Sequence, residues 1–165
     1  MMPEGTVAMA TESSGLLVGQ DDGRTFINPI GGRMVIKAAR SGYSLHENIL
    51  PPHSPGPRPH IHTIHEEVFY VLDGELTVRM GAQKVVAEAG AFVIIPPGTV
   101  HQPSNAGDSP AHVLIFFAPA GMAEFFTEAA ERRIPLQEPP TDPQVQAALE
   151  DFCRRHSFVF ADFPA

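Results

Sequence analysis

Residues 57–74 read PRPHIHTIHEEVFYVLDG, and residues 90–105 read GAFVIIPPGTVHQPSN. Side chains two apart on a strand point to the same side, so His60 and His62 offer two imidazoles to one point while Ile61 turns away. One strand cannot wrap an ion, and further ligands have to come from its neighbours. Glu67 stands past a short polar turn, Thr63 to Glu66, at the head of the apolar run Val68 to Leu72. Glu66 beside it competes for the same role. Pro96-Pro97-Gly98 is a reversal signal, proline presetting φ and glycine permitting the tight turn, and it returns the chain so that His101 arrives from a third direction. Three neutral imidazoles with one carboxylate suit Fe, Mn, Ni, Zn or Co as a divalent ion, and suit calcium poorly. An ion that prefers six ligands keeps open positions here for substrate or O2.

Outward from these two stretches the chain breaks into short apolar runs separated by turn residues. Strands are expected at Arg24–Ile27, Met34–Ala38, Tyr43–Leu50, Val68–Leu72, Leu76–Met80, Gln83–Ala87, Phe92–Ile95, Gln102–Asn105 and His112–Phe117. Gly31-Gly32, Asp73-Gly74, Ala89-Gly90 and Ala106-Gly107-Asp108 mark reversals between them. So many short strands predict an antiparallel sandwich or barrel. In Tyr43–Leu50, alternation predicts Tyr43, Leu45, Glu47 and Ile49 on the inner face. Glu47 is then a second carboxylate near the metal, an acceptor that fixes a ligand imidazole, or a solvated residue on a rim. The same parity predicts Phe69, Val71, Phe92, Ile94, Leu114 and Phe116 as an apolar lining. His65 reads as a loop residue, and His46, His53, His112 and His156 have no partner spacing.

After Pro119 the period changes. Met122, Phe125, Phe126 and Ala129 recur at helical spacing, predicting a helix over about Gly121–Arg133. Thr141-Asp142-Pro143-Gln144 reads as a helix start with Thr141 as N-cap and Gln144 closing a capping box. Val145, Ala148, Leu149 and Phe152 form its apolar face. The closing segment Ser157 to Phe160 is strand-like and placed to cover a sheet edge.

Composition narrows the function. The 165 residues suffice for one core, 43% of them are apolar, and formal net charge is −8 from 11 basic and 19 acidic residues. With no cluster of Lys and Arg, nucleic-acid binding is disfavoured. A lone Cys153 implies a reducing compartment, the N-terminus lacks a secretory pattern, and Val113 to Ala118 is too short to span a bilayer. The expectation is a soluble cytoplasmic protein that meets neither membrane nor nucleic acid. No Gly-x-Ser-x-Gly elbow or Gly-x-Gly-x-x-Gly loop competes with the metal as the seat of chemistry.

His60-x-His62-x4-Glu67-x6-Gly74 resembles the first motif of the cupins, and Gly90-x5-Pro96-x-Gly98-x2-His101-x3-Asn105 resembles the second. The first motif departs at one place, Ser54 standing where the family has glycine. The resemblance implies an all-β fold, the cupin double-stranded β-helix or jelly-roll barrel, with C-terminal α-helices. It assigns His60, His62, Glu67 and His101 as metal ligands and Asn105 as a turn residue. The implied layout is an N-terminal arm over 1–20, a cupin barrel over 21–120, and helices with a final strand-like segment over 121–165. The proline-rich loop before His60, the run Glu66 to Gly74 and the segment Pro119 to Phe126 resemble the quercetin 2,3-dioxygenase-like group of single-domain cupins. That resemblance implies ring-opening dioxygenation of a flavonol, with Glu67 also accepting the substrate's hydroxyl proton, and more broadly a non-haem metal-dependent dioxygenase acting on a small aromatic or enediol substrate. Non-oxidative isomerase or lyase chemistry, or non-catalytic binding, are the alternatives. Cupins commonly pair through sheet edges, and a homodimer is expected.

Overall fold

The computed structural model describes residues 15–28 and 30–164. Of the arm expected over 1–20, residues 1–14 lie outside this range. The chain runs through β1 (Arg24–Ile27), β2 (Arg33–Ala39), β3 (Ser44–Leu50), β4 (His60–His62), β5 (Glu66–Asp73), β6 (Glu75–Met80), β7 (Gln83–Glu88), β8 (Phe92–Ile95), β9 (His101–Ser104) and β10 (Ala111–Ala118). Two helices follow, α1 (Met122–Arg132) and α2 (Pro143–Arg155), and then β11 (Phe158–Phe160). The strands form two antiparallel sheets, one ordered β1-β2-β3-β10-β5-β8 and the other β11-β4-β9-β6-β7.

This corrects the expectation of a closed jelly-roll barrel. Each sheet ends in edges, β1 and β8 in one and β11 and β7 in the other, and among the described residues no ladder joins them. The domain is cupin-like, with two open sheets facing each other. Alternation along a strand reports which face is buried; it is silent on which edges share hydrogen bonds, so the same pattern serves an open pair of sheets.

The inner faces meet over Phe69, Val71, Leu76, Val78, Ile95, Val113, Ile115 and Phe117, all at most 4% exposed. Burying such a side chain contributes on the order of 1.5–3 kcal/mol. The helices close one end of this core. Phe125 of α1 stacks on Phe152 of α2 at 5.5 Å and on Phe158 of β11 at 4.8 Å. The N-cap of α2 is Asp142, not Thr141: Asp142 Oδ1 accepts from Gln144 N at 2.8 Å and from Val145 N at 3.4 Å. Pro143 explains the displacement, since it has no N–H and its fixed φ suits the first helical position. β11 pairs with β4, Phe158 opposite His62 and Phe160 opposite His60, and so covers the edge of the histidine strand.

β3 departs from its expected parity. Ser44, His46, Asn48 and Leu50 face inward, and Leu45, Glu47 and Ile49 lie on the outer face, half-buried. Register decides this. On β10 the inward residues Ala111, Val113, Ile115 and Phe117 stand opposite Leu50, Asn48, His46 and Ser44. Glu47 is therefore remote from the inner face and pairs outside with His112 at 2.8 Å and Lys37 at 3.4 Å. By the same logic only Phe69 and Val71 of the expected lining point inward. Phe92 and Ile94 are 65% and 57% exposed, and Leu114 and Phe116 lie half-buried on the outer face.

Candidate metal centre

His60 and His62 are both buried on β4 with Ile61 between them half-exposed, the arrangement that two-residue periodicity dictates. β9 lies beside β4 with His101 directly opposite His60, their rings 4.3 Å apart. Glu67 comes from β5 in the facing sheet, buried, while Glu66 points outward and is exposed. One ligand atom from each of His60, His62, Glu67 and His101 lies within 4.8 Å of the others. Donors bound at about 2.0–2.2 Å around one ion stand roughly 3–4.4 Å apart, so closing on a cation takes a small movement. Glu67 Oε2 accepts from His101 Nε2 at 2.8 Å and from His62 Nε2 at 3.3 Å.

The rings are held from behind. His60 Nδ1 donates to Arg58 O and His101 Nδ1 to Thr99 O, each at 2.9 Å, which turns Nε2 of both toward the centre. Phe158 stacks on His60 at 4.4 Å. His62 lacks such an anchor, since its Nδ1 is buried with no partner among the described residues. A backbone constraint shapes the approach: Gly56 sits at φ 71, and a Cβ there would collide with Pro103 O. Ser54, the departure from the cupin motif, keeps its backbone role by bridging to Asn105, whose N–H donates to Ser54 O at 2.9 Å.

Burial alone raises the Glu67 carboxyl, but hydrogen bonds from His101 and His62 overcome it and hold the group well below the usual carboxylate range. Burial, then the neighbouring charges of His101 and His62, hold His60 well below its ordinary value. At His101 burial lowers the ring's pKa, and the hydrogen bond and charge of Glu67 outweigh it and raise the pKa. An ionised carboxylate and a neutral imidazole are the ligand forms of these groups. His101, donating from both nitrogens, carries a proton that a cation would displace.

Two histidines without a place in the spacing argument are also buried. His46, on the inner face of β3, bonds Ser44 Oγ at 2.8 Å and meets Phe117 and Phe126 edge-on; burial brings its pKa down to about 4, Glu67 opposing. His65 is in a loop as expected, yet only 2% exposed, its Nε2 3.2 Å from Ala120 O. His53, His112 and His156 pair with Asp108, Glu47 and Glu128. Beside the four-residue cluster lies a cavity of ≈ 40 Å³, measured as the space in which the centre of a water molecule can move. Asn28 and Asn48 line it, and neither is apparent from motif spacing. The signal for Asn48 is the His46-x-Asn48 alternation on β3, polar side chains at inward positions like His60-x-His62 on β4.

These are the features of a buried three-histidine, one-glutamate cluster compatible with the active site of a metal-dependent cupin enzyme. Residues 47–117 match the family model described as the cupin domain. It is 34% identical over 55 residues to the uncharacterized protein MJ1618 of Methanocaldococcus jannaschii, a match covering 33% of this chain and 44% of that relative, so under half the relative's length is spanned. Among solved structures it is similar to TT1209 from Thermus thermophilus, with 26% identity and a TM-score of 0.52 over 57% of this chain and 89% of that one. It is also similar to KdgF from Halomonas sp., with 19% identity and a TM-score of 0.52 over 56% and 84% of the two chains. Among the described residues no helix is long and apolar enough to cross a membrane.

Proposed function

We propose that His60, His62, Glu67 and His101 hold one divalent transition metal, Fe, Mn, Ni, Zn or Co, and that the protein is a metal-dependent dioxygenase acting on a small enediol or aromatic substrate. The observation that carries this is the burial of four mutually close donors from β4, β5 and β9. A bound ion of this kind supplies Lewis acidity and, when redox-active, a path for electrons between substrate and O2. The chain supplies the rest. Arg58 O and Thr99 O orient two of the imidazoles. The apolar inner faces exclude water, which strengthens every electrostatic contact inside. Glu67 lines the cavity as well as the cluster, within reach of a substrate hydroxyl proton.

One observation favours a second reading. A carboxylate on the cavity wall beside the cluster is also placed where isomerisation or elimination beside a carbonyl, with no O2 consumed, needs its proton acceptor. Metal analysis of the purified protein, followed by oxygen-electrode assays with a panel of small enediols and catechols, separates the two. Fe, Mn or Ni with metal-dependent O2 uptake supports oxygenation. Stoichiometric Zn with turnover but no O2 uptake supports the second reading, and metal and ligand binding without any turnover leaves a binding protein.

A further inference from the structure

The cavity beside the cluster is walled mainly by hydrocarbon, with Ile30, Met34, Leu50, Phe69, Ile115 and Phe126 among its lining. No lysine or arginine among the described residues lines it. A phosphate or second carboxylate lying on this wall, away from the cluster, would be a buried charge with no side-chain cation beside it, which is strongly unfavourable. Two carboxamides interrupt the apolar wall, Asn28 and Asn48, both 3% exposed. They are in different states. Asn28 Oδ1 accepts from Ile30 N at 2.9 Å, so that oxygen already has a donor within the fold. Asn48 Oδ1 is buried and has no partner among the described residues. A buried acceptor left unsatisfied is costly, and a site built around one discriminates strongly for a ligand that brings the missing donor.

Size narrows the class further. At ≈ 40 Å³, the enclosed space accommodates a few water-sized groups. The geometry points to a ligand class: a short, uncharged molecule of a few heavy atoms, whose adjacent oxygens meet the His60, His62, Glu67 and His101 cluster, whose carbon body lies on the apolar wall, and whose hydroxyl donates to Asn48 Oδ1. This rests on the metal reading above and adds to it the substrate's size, its lack of charge and the residue that selects it. A three-carbon hydroxy ketone is the simplest member.

The test uses the full chain loaded with Co(II), titrated with hydroxyacetone and, separately, with its phosphorylated counterpart, binding being read from the visible Co(II) spectrum. Hydroxyacetone is expected to give a saturable change and the phosphorylated compound to bind at least tenfold more weakly. Asn48→Leu is expected to weaken hydroxyacetone about tenfold or more while the Co(II) stoichiometry holds. The wild-type comparison needs no variant, so a misfolded Asn48→Leu does not rescue the idea. Equal or tighter binding of the phosphorylated compound overturns the inference, as does unchanged hydroxyacetone binding in a folded Asn48→Leu. Saturation-transfer NMR of hydroxyacetone on the metal-free protein separates the two readings. Signal that depends on Asn48 without Co(II) uptake supports the cavity assignment and counts against the metal. Co(II) uptake with signal indifferent to Asn48 does the reverse, and no saturable binding in either arm overturns the inference outright.

Discussion

The two sheets that face each other across the cavity are built for different work. The five-stranded sheet carries His60, His62 and His101 on the adjacent strands β4 and β9, with His60 and His101 pinned by Arg58 O, Thr99 O and the stacked ring of Phe158. The six-stranded sheet contributes Glu67 from β5 and Asn48 from β3, side chains that line the interior cavity. One sheet fixes directions, and the other presents acceptors. On the proposals above, the contrast is between holding an ion and recognising what meets it: the pinned imidazoles stand on one sheet, and the unmet acceptor Asn48 Oδ1 stands on the other.

Breaking the pinned side should have the largest effect. His101→Ala removes the proposed ligand opposite His60 and leaves Glu67 without its shorter hydrogen bond. Metal occupancy, measured by elemental analysis after dialysis, is expected to fall by about 100-fold or more; unchanged occupancy would show that the ligand set is wrong. On the acceptor side, Glu67→Gln keeps the shape and removes the base. Turnover is expected to drop roughly 100-fold or more, and occupancy by less. Equal losses would reduce Glu67 to a ligand alone.

A pH experiment sharpens the comparison through His46, which lies on the acceptor side but is neutral and buried. Its folded pKa is depressed from 6.5 to about 4 by burial. The stability this contributes is fully present above pH 6.5 and is lost progressively as pH falls from there to about 4, in total about 3 kcal/mol. His46→Leu removes the titration, so its unfolding free energy in urea should vary less over that window than the wild type's. Parallel pH profiles would show that His46 is not the titrating group. A smaller effect concerns the outer faces. The six-stranded sheet exposes Phe92 and Ile94 at its β8 edge, with Tyr70 stacked on Phe92 at 4.4 Å. The homodimer expected of the chain would bury this surface, and light scattering should then find a dimer that F92E/I94E converts to a monomer. A monomeric wild type would remove the expectation.

The convergence of the four side chains is legible in the sequence because its information is local. His60-x-His62 needs only strand periodicity, and Pro96-Pro97-Gly98 announces the turn that delivers His101. Glu67 was separable from Glu66 by motif spacing alone, and the alternation of β5 buries one and exposes the other. β3 was misread because apolar residues fall on both of its faces, Leu45 and Ile49 on one and Leu50 on the other, and its inward polar residues His46 and Asn48 imitate an outer face. Only the register against β10 settles which side is in, and register is a property of pairs of strands. The same limit hid the open edges, since pairing partners at β1, β7, β8 and β11 are not written in any one strand. At α2 both Thr141 and Asp142 can cap, and Pro143 places the choice on Asp142.

The most direct test of the account is an anomalous diffraction map of crystals soaked with Co(II), collected at the cobalt edge. The account predicts one strong peak per chain with His60 Nε2, His62 Nε2, His101 Nε2 and a Glu67 carboxylate oxygen all at about 2.0–2.3 Å. A peak bound elsewhere, a peak missing any of the three histidines, or no peak at all would contradict it.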